Sequence, residues 1–118
     1  MSKKPAGSKP ESEIQQEIQL AFQQEWPQSL ILRQNTGAMK DSSGRLVRFG
    51  IPGQADLRCV IDGFAVEVEV KTTKGKQSDA QRRYEKAVER AGGIYLVCRD
   101  WEECLDAARA ELSKRRSP

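Results

Sequence analysis

Residues 50–71, GIPGQADLRCVIDGFAVEVEVK, decide how the rest of the chain is read. They contain a Gly-Ile-Pro-Gly turn, Asp56 ahead of a short apolar run, an Asp62-Gly63 break, and then valines alternating with charged residues. Asp-Gly between two strand-forming runs is a strong hairpin signal, so residues 57–61 and 64–71 are expected to pair as antiparallel strands. Residues two apart on a strand share a face. Val66, Val68 and Val70 therefore point one way, and Glu67, Glu69 and Lys71 the other. Folding about Asp62-Gly63 brings Glu69 and Lys71 roughly opposite the Asp56 end. Two carboxylates and an amine so placed make either a solvated face with cross-strand charge pairs or the floor of a metal site.

The flanking sequence frames that hairpin. Residues 1–10, MSKKPAGSKP, are basic and rich in Pro, Gly and Ser, the composition of a flexible arm. A helix begins at Glu11 or Ser12, with Ile14, Ile18, Ala21 and Phe22 at helical spacing. It should end by Trp26, because Pro27 disfavours helix in the residue before it. Leu30 to Leu32 reads as a first strand, broken at Asn35-Thr36-Gly37. Residues 40–44 read as a polar loop, and RLVRF, residues 45–49, as a short strand before the glycine turn.

Beyond the hairpin, residues 72–77 form a basic, glycine-containing loop. A helix follows from Ser78, where Ser78 and Gln81 have capping-box spacing, and runs to Ala91 before Gly92-Gly93. IYLVC, residues 94–98, is unbroken and apolar, as a buried central strand should be. Asp100 caps a last helix whose apolar side carries Trp101, Cys104, Leu105, Ala108 and Leu112. Residues 114–118, KRRSP, read as a loose basic tail. The expected layout is an arm over 1–10, one domain over 11–113 and that tail.

Bulk properties exclude more than they assign. A chain of 118 residues supports one core. Twenty Lys and Arg against 17 Asp and Glu leave a net charge of +3, which suits an acidic partner such as nucleic acid. The absence of histidine removes Ser-His-Asp and Cys-His catalysis, any His general base, and Cys/His zinc sites. Three cysteines without CxxC spacing, and with no signal peptide ahead of them, read as reduced thiols of a cytosolic protein. Cys59 and Cys98 lie in apolar runs and are expected in the core. No apolar run approaches the length of a membrane span. Chemistry must then run on carboxylates, lysine, a hydroxyl group or a metal ion. Two carboxylates and a backbone carbonyl suit magnesium, leaving places for water and phosphate. The lysine can hold or deprotonate an attacking water, or offset charge on the phosphate, which makes phosphodiester hydrolysis the natural reaction.

Asp56 followed by Glu69-Val70-Lys71 resembles the signature of the PD-(D/E)XK nucleases. Within that superfamily, GIPGQAD, EVEVKTTKGKQSDAQ and GGIYLV closely resemble the VRR-NUC family, over nearly the whole chain from Glu13 to about Cys104. The resemblance implies an α/β fold with a restriction-endonuclease-like α-β-β-β-α-β core. In it a mixed central sheet is flanked by helices, here with an extra C-terminal helix. It implies Asp56 and Glu69 as metal-binding acids, the Val70 carbonyl as a third ligand, Lys71 as the catalytic lysine and Gln81 as a residue supporting the site. Glu13 resembles the acidic residue that approaches the metal or its waters. Mg²⁺, with Mn²⁺ as substitute, is the implied cofactor, without a small-molecule cofactor or a membrane. The implied function is an endonuclease acting on branched DNA such as four-way (Holliday) junctions, as a homodimer in a bacterial or phage-infected cytoplasm. The superfamily's proline-aspartate pair is here Ala55-Asp56, with proline displaced to Pro52.

Plainer roles stand beside these. Gln81 serves equally as the N3 partner of a capping box, and Glu13 as a first-turn glutamate favoured by the helix dipole. Glu67 is expected at the surface or behind the site. Arg33, Arg45, Arg48, Lys74, Lys76 and Arg82 flank the motif and suit phosphate contacts, though each alone reads as a solvated charge. Gly93-Ile94-Tyr95 suggests another nuclease motif but lacks its second half, and is set aside. A non-catalytic nucleic-acid-binding module on the same fold, or a duplex nickase or restriction-like nuclease, are the competing functions.

Overall fold

The computed structural model describes residues 9–34 and 37–116. Its elements run α1 (Glu11–Glu25), β1 (Leu30–Arg33), β2 (Gly37–Lys40), β3 (Leu46–Phe49), β4 (Leu57–Ile61), β5 (Phe64–Val70), α2 (Asp79–Arg90), β6 (Ile94–Cys98) and α3 (Trp101–Arg116). Four strands make one mixed sheet in the order β1-β4-β5-β6, with β1, β4 and β5 successively antiparallel and β6 parallel to β5. The expected α/β class with a mixed central sheet is borne out, as is the helix that follows β6.

The hairpin forms as its sequence requires. Asp62 and Gly63 have φ of 51° and 84°, the left-handed values of a tight turn whose twist matches the strands it joins. Leu57 pairs with Val68 and Cys59 with Val66, which puts Leu57, Cys59, Val66 and Val68 on one face. Ile94, Leu96 and Cys98 continue that face through the parallel ladder. Ile14, Ile18 and Phe22 of α1 and Cys104, Leu105, Ala108 and Leu112 of α3 close over it as one buried core. The valine half of the alternation thus builds the core. On the opposite face α2 buries no side chain fully. It lies over charged residues rather than valines, so it needs no apolar stripe.

Five expectations are corrected. Residues 94–98, expected as a buried central strand, form β6 at the edge of the described sheet, buried on one face and only half-buried on the other. Residues 37–40, read as a break and the start of a loop, form β2; they pair with β3 in a separate two-stranded ribbon, outside the central sheet. Its exposed side chains carry no core-facing alternation, the usual strand signal. The true loop is only the turn at its tip, where the Asp41 carboxylate accepts from Ser43 N at 2.9 Å and Arg45 N at 3.0 Å. At the C-terminus, Lys114 to Arg116 continue α3, and Arg115 donates to the carbonyls of Gly92 and Gly93 at 2.6 and 3.2 Å. The cysteines are not all reduced: Cys98 and Cys104 form a disulfide, while buried Cys59 stays free. Their spacing of six spans the exit from β6 and the first turn of α3, a connection that a search for CxxC misses. Trp101, placed on the apolar side of α3, is 37% exposed. Residues 1–8 of the arm expected over 1–10, residues 35–36 of the expected break and the last two residues of the tail lie outside the described residues. Among the described residues, no helix is long and apolar enough to cross a membrane.

Candidate functional site

The charged half of the alternation ends in a cleft of about 400 Å³. β4 and β5 deliver its acids. Extending the Leu57–Val68 register by one step sets Asp56 level with Glu69. Asp56 lies just outside β4, and Val70 N–H donates to its Oδ2 at 2.7 Å. Asp56, Glu69, Gln81 and Arg33 line the cleft together, with Gln15 from α1 and Gln34 and Gln54 from the neighbouring loops.

Glu69 is 3% exposed, and its two oxygens are treated differently. Gln81 Nε2 donates to Oε1 at 2.6 Å, and Lys71 Nζ stands 3.7 Å from the same atom. Oε2 is buried with no hydrogen-bond partner among the described residues. An unpartnered buried carboxylate oxygen is costly, and calls for an explanation such as a bound ion. The electrostatics agree. Burial, then the negative charge of Asp56, pushes the Glu69 carboxyl up to about 8, against a smaller pull from Lys71. Burial also raises Asp56, opposed by the Val70 amide and by the charges of Lys71 and Arg33. Two acids facing one cleft, one buried and one half-buried, are short of positive charge.

The donor set fits a hard cation that keeps much of its water. Asp56 and Glu69 supply two carboxylates facing one cleft, and magnesium is commonly held by one or two carboxylates plus water and phosphate. No third His, Cys, Asp or Glu completes a metal-holding cluster with them among the described residues. Glu13 is not among the residues lining this cleft. On α1 it is Gln15 that does so, while the charge of Glu11 contributes to raising Glu69. Residues 11 and 15 lie four apart on one face of the helix, a face that Glu13 does not share.

Gln81 closes the capping box and also reaches Glu69. Its Oε1 accepts from Ser78 N at 2.8 Å and its N–H donates to Ser78 Oγ at 3.1 Å, closing the capping box, while its Nε2 faces Glu69. Gly53 seats that helix start against the glycine turn. A Cβ there would fall 2.2 Å from the Ala80 carbonyl oxygen, and φ is +78°. Of the basic residues, only Arg33 lines the cleft. Lys74 and Lys76 are exposed on the loop after Lys71, a loop pinned by Arg99 through the carbonyls of Thr72 and Gly75. Arg45 and Arg48 lie on the ribbon, and Arg82 pairs with Asp79 at 3.6 Å on the exposed side of α2.

Sequence reading missed four contributors. Gln34, Gln54, Tyr84 and Arg58 all hydrogen-bond at or beside the site. Tyr84 left a signal: it follows Gln81 by three, so it shares the helix face turned to the sheet. Gln34 left none, since its partners are 21 and 33 residues away in sequence. No family model matches the chain, and no curated protein matches it in sequence.

Proposed function

We propose that this chain is a Mg²⁺-dependent endonuclease of the PD-(D/E)XK kind, similar to the VRR-NUC family, hydrolysing phosphodiester bonds in DNA. One observation carries this reading. A buried glutamate on β5 and a half-buried aspartate just before β4 share an open cleft, a lysine reaches the glutamate, and one glutamate oxygen lies buried without a partner among the described residues. The layout supports it as well, since without the ribbon the elements run α-β-β-β-α-β-α.

Asp56 and Glu69 would hold the ion, with the Val70 carbonyl as a further ligand, and Mn²⁺ would substitute. When bound, the ion supplies an activated water and neutralises charge on the phosphate. The chain's own groups do the rest. Gln81 occupies one oxygen of Glu69 and thereby leaves Oε2 as the one available. The Val70 amide orients Asp56 in the same manner. Lys71, 13% exposed, holds or deprotonates the attacking water and offsets charge developing on the phosphate. Arg33 stands in the cleft to take a substrate phosphate, and Lys74 and Lys76 extend the basic track along the strand.

Branched DNA, four-way junctions above all, is the substrate that the family likeness favours, and a homodimer is the working form. Symmetric cutting of a two-fold junction needs two sites, and one small domain carries one. Cytoplasm of a bacterium or an infected host belongs to the same proposal. The test incubates the protein with labelled junction, flap and duplex DNA, in Mg²⁺ or in EDTA. Mg²⁺-dependent cutting, strongest on the junction, is the expected result. DNA binding without cutting under any divalent ion would instead make the chain a binding module.

A further inference from the structure

Glu67 is the member of the charged face that metal binding leaves without a task. It is 2% exposed, and three donors converge on its carboxylate. Arg58 Nε donates to Oε2, while the Tyr84 hydroxyl at 2.5 Å and Gln34 Nε2 at 3.2 Å donate to Oε1. Arg58 and Tyr84 also bond each other, Nη2 to the hydroxyl oxygen at 2.9 Å.

A carboxylate only accepts hydrogen bonds, so only the amide nitrogen of Gln34 can face Glu67. That fixes which way round the Gln34 amide lies. Its Nε2 donates in addition to the Ala55 carbonyl at 3.1 Å, its Oε1 accepts from Gln54 Nε2, and its backbone N–H donates to the Asp56 carbonyl at 2.8 Å. One glutamine therefore touches three consecutive residues ending at Asp56. Those residues precede the regular ladder of β4, which begins at Leu57, so the side-chain bonds of Gln34 add to its backbone bond in holding them in place.

We propose that Glu67 is a positioning residue for Asp56, acting through Gln34: it orients the Gln34 amide, and the amide fixes the segment that presents the Asp56 carboxylate to the cleft. Its relevance to metal binding rests on the nuclease reading, but the positioning itself does not. Arg58 and Tyr84 also hold Glu67 and touch none of residues 54–56 through these bonds.

The test has two readouts. The first uses metal-free, isotope-labelled protein. Val70 N–H donates to Asp56 Oδ2, so the resonance and exchange rate of that amide report where the carboxylate sits. In Gln34→Met and Glu67→Gln the Val70 resonance should move and its exchange accelerate by about tenfold, the loss of one such hydrogen bond. Tyr84→Phe should change it far less. The second readout is Mn²⁺ titration. Wild type should bind, Glu69→Gln should not, and Gln34→Met and Glu67→Gln should bind about 10- to 100-fold more weakly, as removing a partner behind a metal ligand does. An unchanged Val70 amide in the folded variants overturns the proposal. Should Glu67→Gln fail to fold, half-buried Gln34→Met decides alone. Wild type that binds no Mn²⁺ sinks the metal reading, while the Val70 amide still decides the positioning claim.

Discussion

Glu69 holds a carboxyl group that is only 3% exposed, and its proton follows from that. Burial and Asp56 raise it from an ordinary 4.5 to about 8, so between those values the folded chain keeps a proton that the unfolded chain has released. Stability of the metal-free protein should therefore fall as pH rises from about 4.5 to about 8 and level off above, with a slope of up to about 1.4 kcal/mol per pH unit. Asp56, also raised by burial, adds to the same trend in its own range. Thermal unfolding in EDTA from pH 5 to 9 checks this, and Glu69→Gln should flatten most of the slope. A wild-type midpoint that climbs across this window would contradict the assignment. Metal affinity should run the other way, rising with pH up to about 8 as the proton that the ion must displace is lost.

The residues differ in how legible they were. Glu69 and Lys71 follow from alternation, and Asp56 from hairpin register, because both are short-range geometric rules. Glu67 obeys the same alternation as Glu69, yet it is bound by three donors where Glu69 has an oxygen left over. That difference is made by Gln34, Tyr84 and Arg58, and only the folded chain brings them together.

Among the elements, the β4–β5 hairpin and α2 act as one device, joined at the glycine turn. Gly53 packs against the first turn of α2, and that turn carries Gln81 to Glu69. Gly53→Ala would put a methyl group 2.2 Å from a carbonyl oxygen at a backbone angle that alanine adopts only under strain. It should cost at least about 1–3 kcal/mol from the strained φ alone, and move Gln81 away from Glu69 as well. Calorimetry and metal titration of this variant check the two effects, and retention of both stability and affinity would contradict the close approach. The hairpin, the three helices and β6 were readable from turn signals, caps and apolar runs. Of the ribbon, β3 was legible as a strand over residues 45–49 but β2 was not, because its described side chains are exposed and carry no core-facing alternation. The Cys98–Cys104 bond escaped for another reason: it depends on how β6 meets α3.

For the whole molecule, the proposed nuclease reading assigns affinity rather than chemistry to the basic residues outside the cleft. Arg45 and Arg48 on the ribbon, with Lys74 and Lys76 beside Lys71, should each add one phosphate contact. DNA affinity should then fall steeply with salt, and an Arg45→Ala, Arg48→Ala pair should lower the slope of log K against log salt by about 2. Fluorescence anisotropy over a salt series measures it. An unchanged slope would remove the ribbon from the interface. Sedimentation of the free protein should give twice the mass of one chain, and a monomer that still cuts junctions symmetrically would contradict the dimer.

The most direct measurement is single-turnover cleavage of a labelled four-way junction in Mg²⁺ by wild type and by Lys71→Ala, with binding measured in parallel. Lys71 stands 3.7 Å from Glu69 and is assigned to the water and the phosphate, not to holding DNA. The variant should bind the junction with nearly wild-type affinity and cut it at least about 100-fold more slowly, the scale of a lost general acid–base group. Equal cutting rates would contradict the site as assigned.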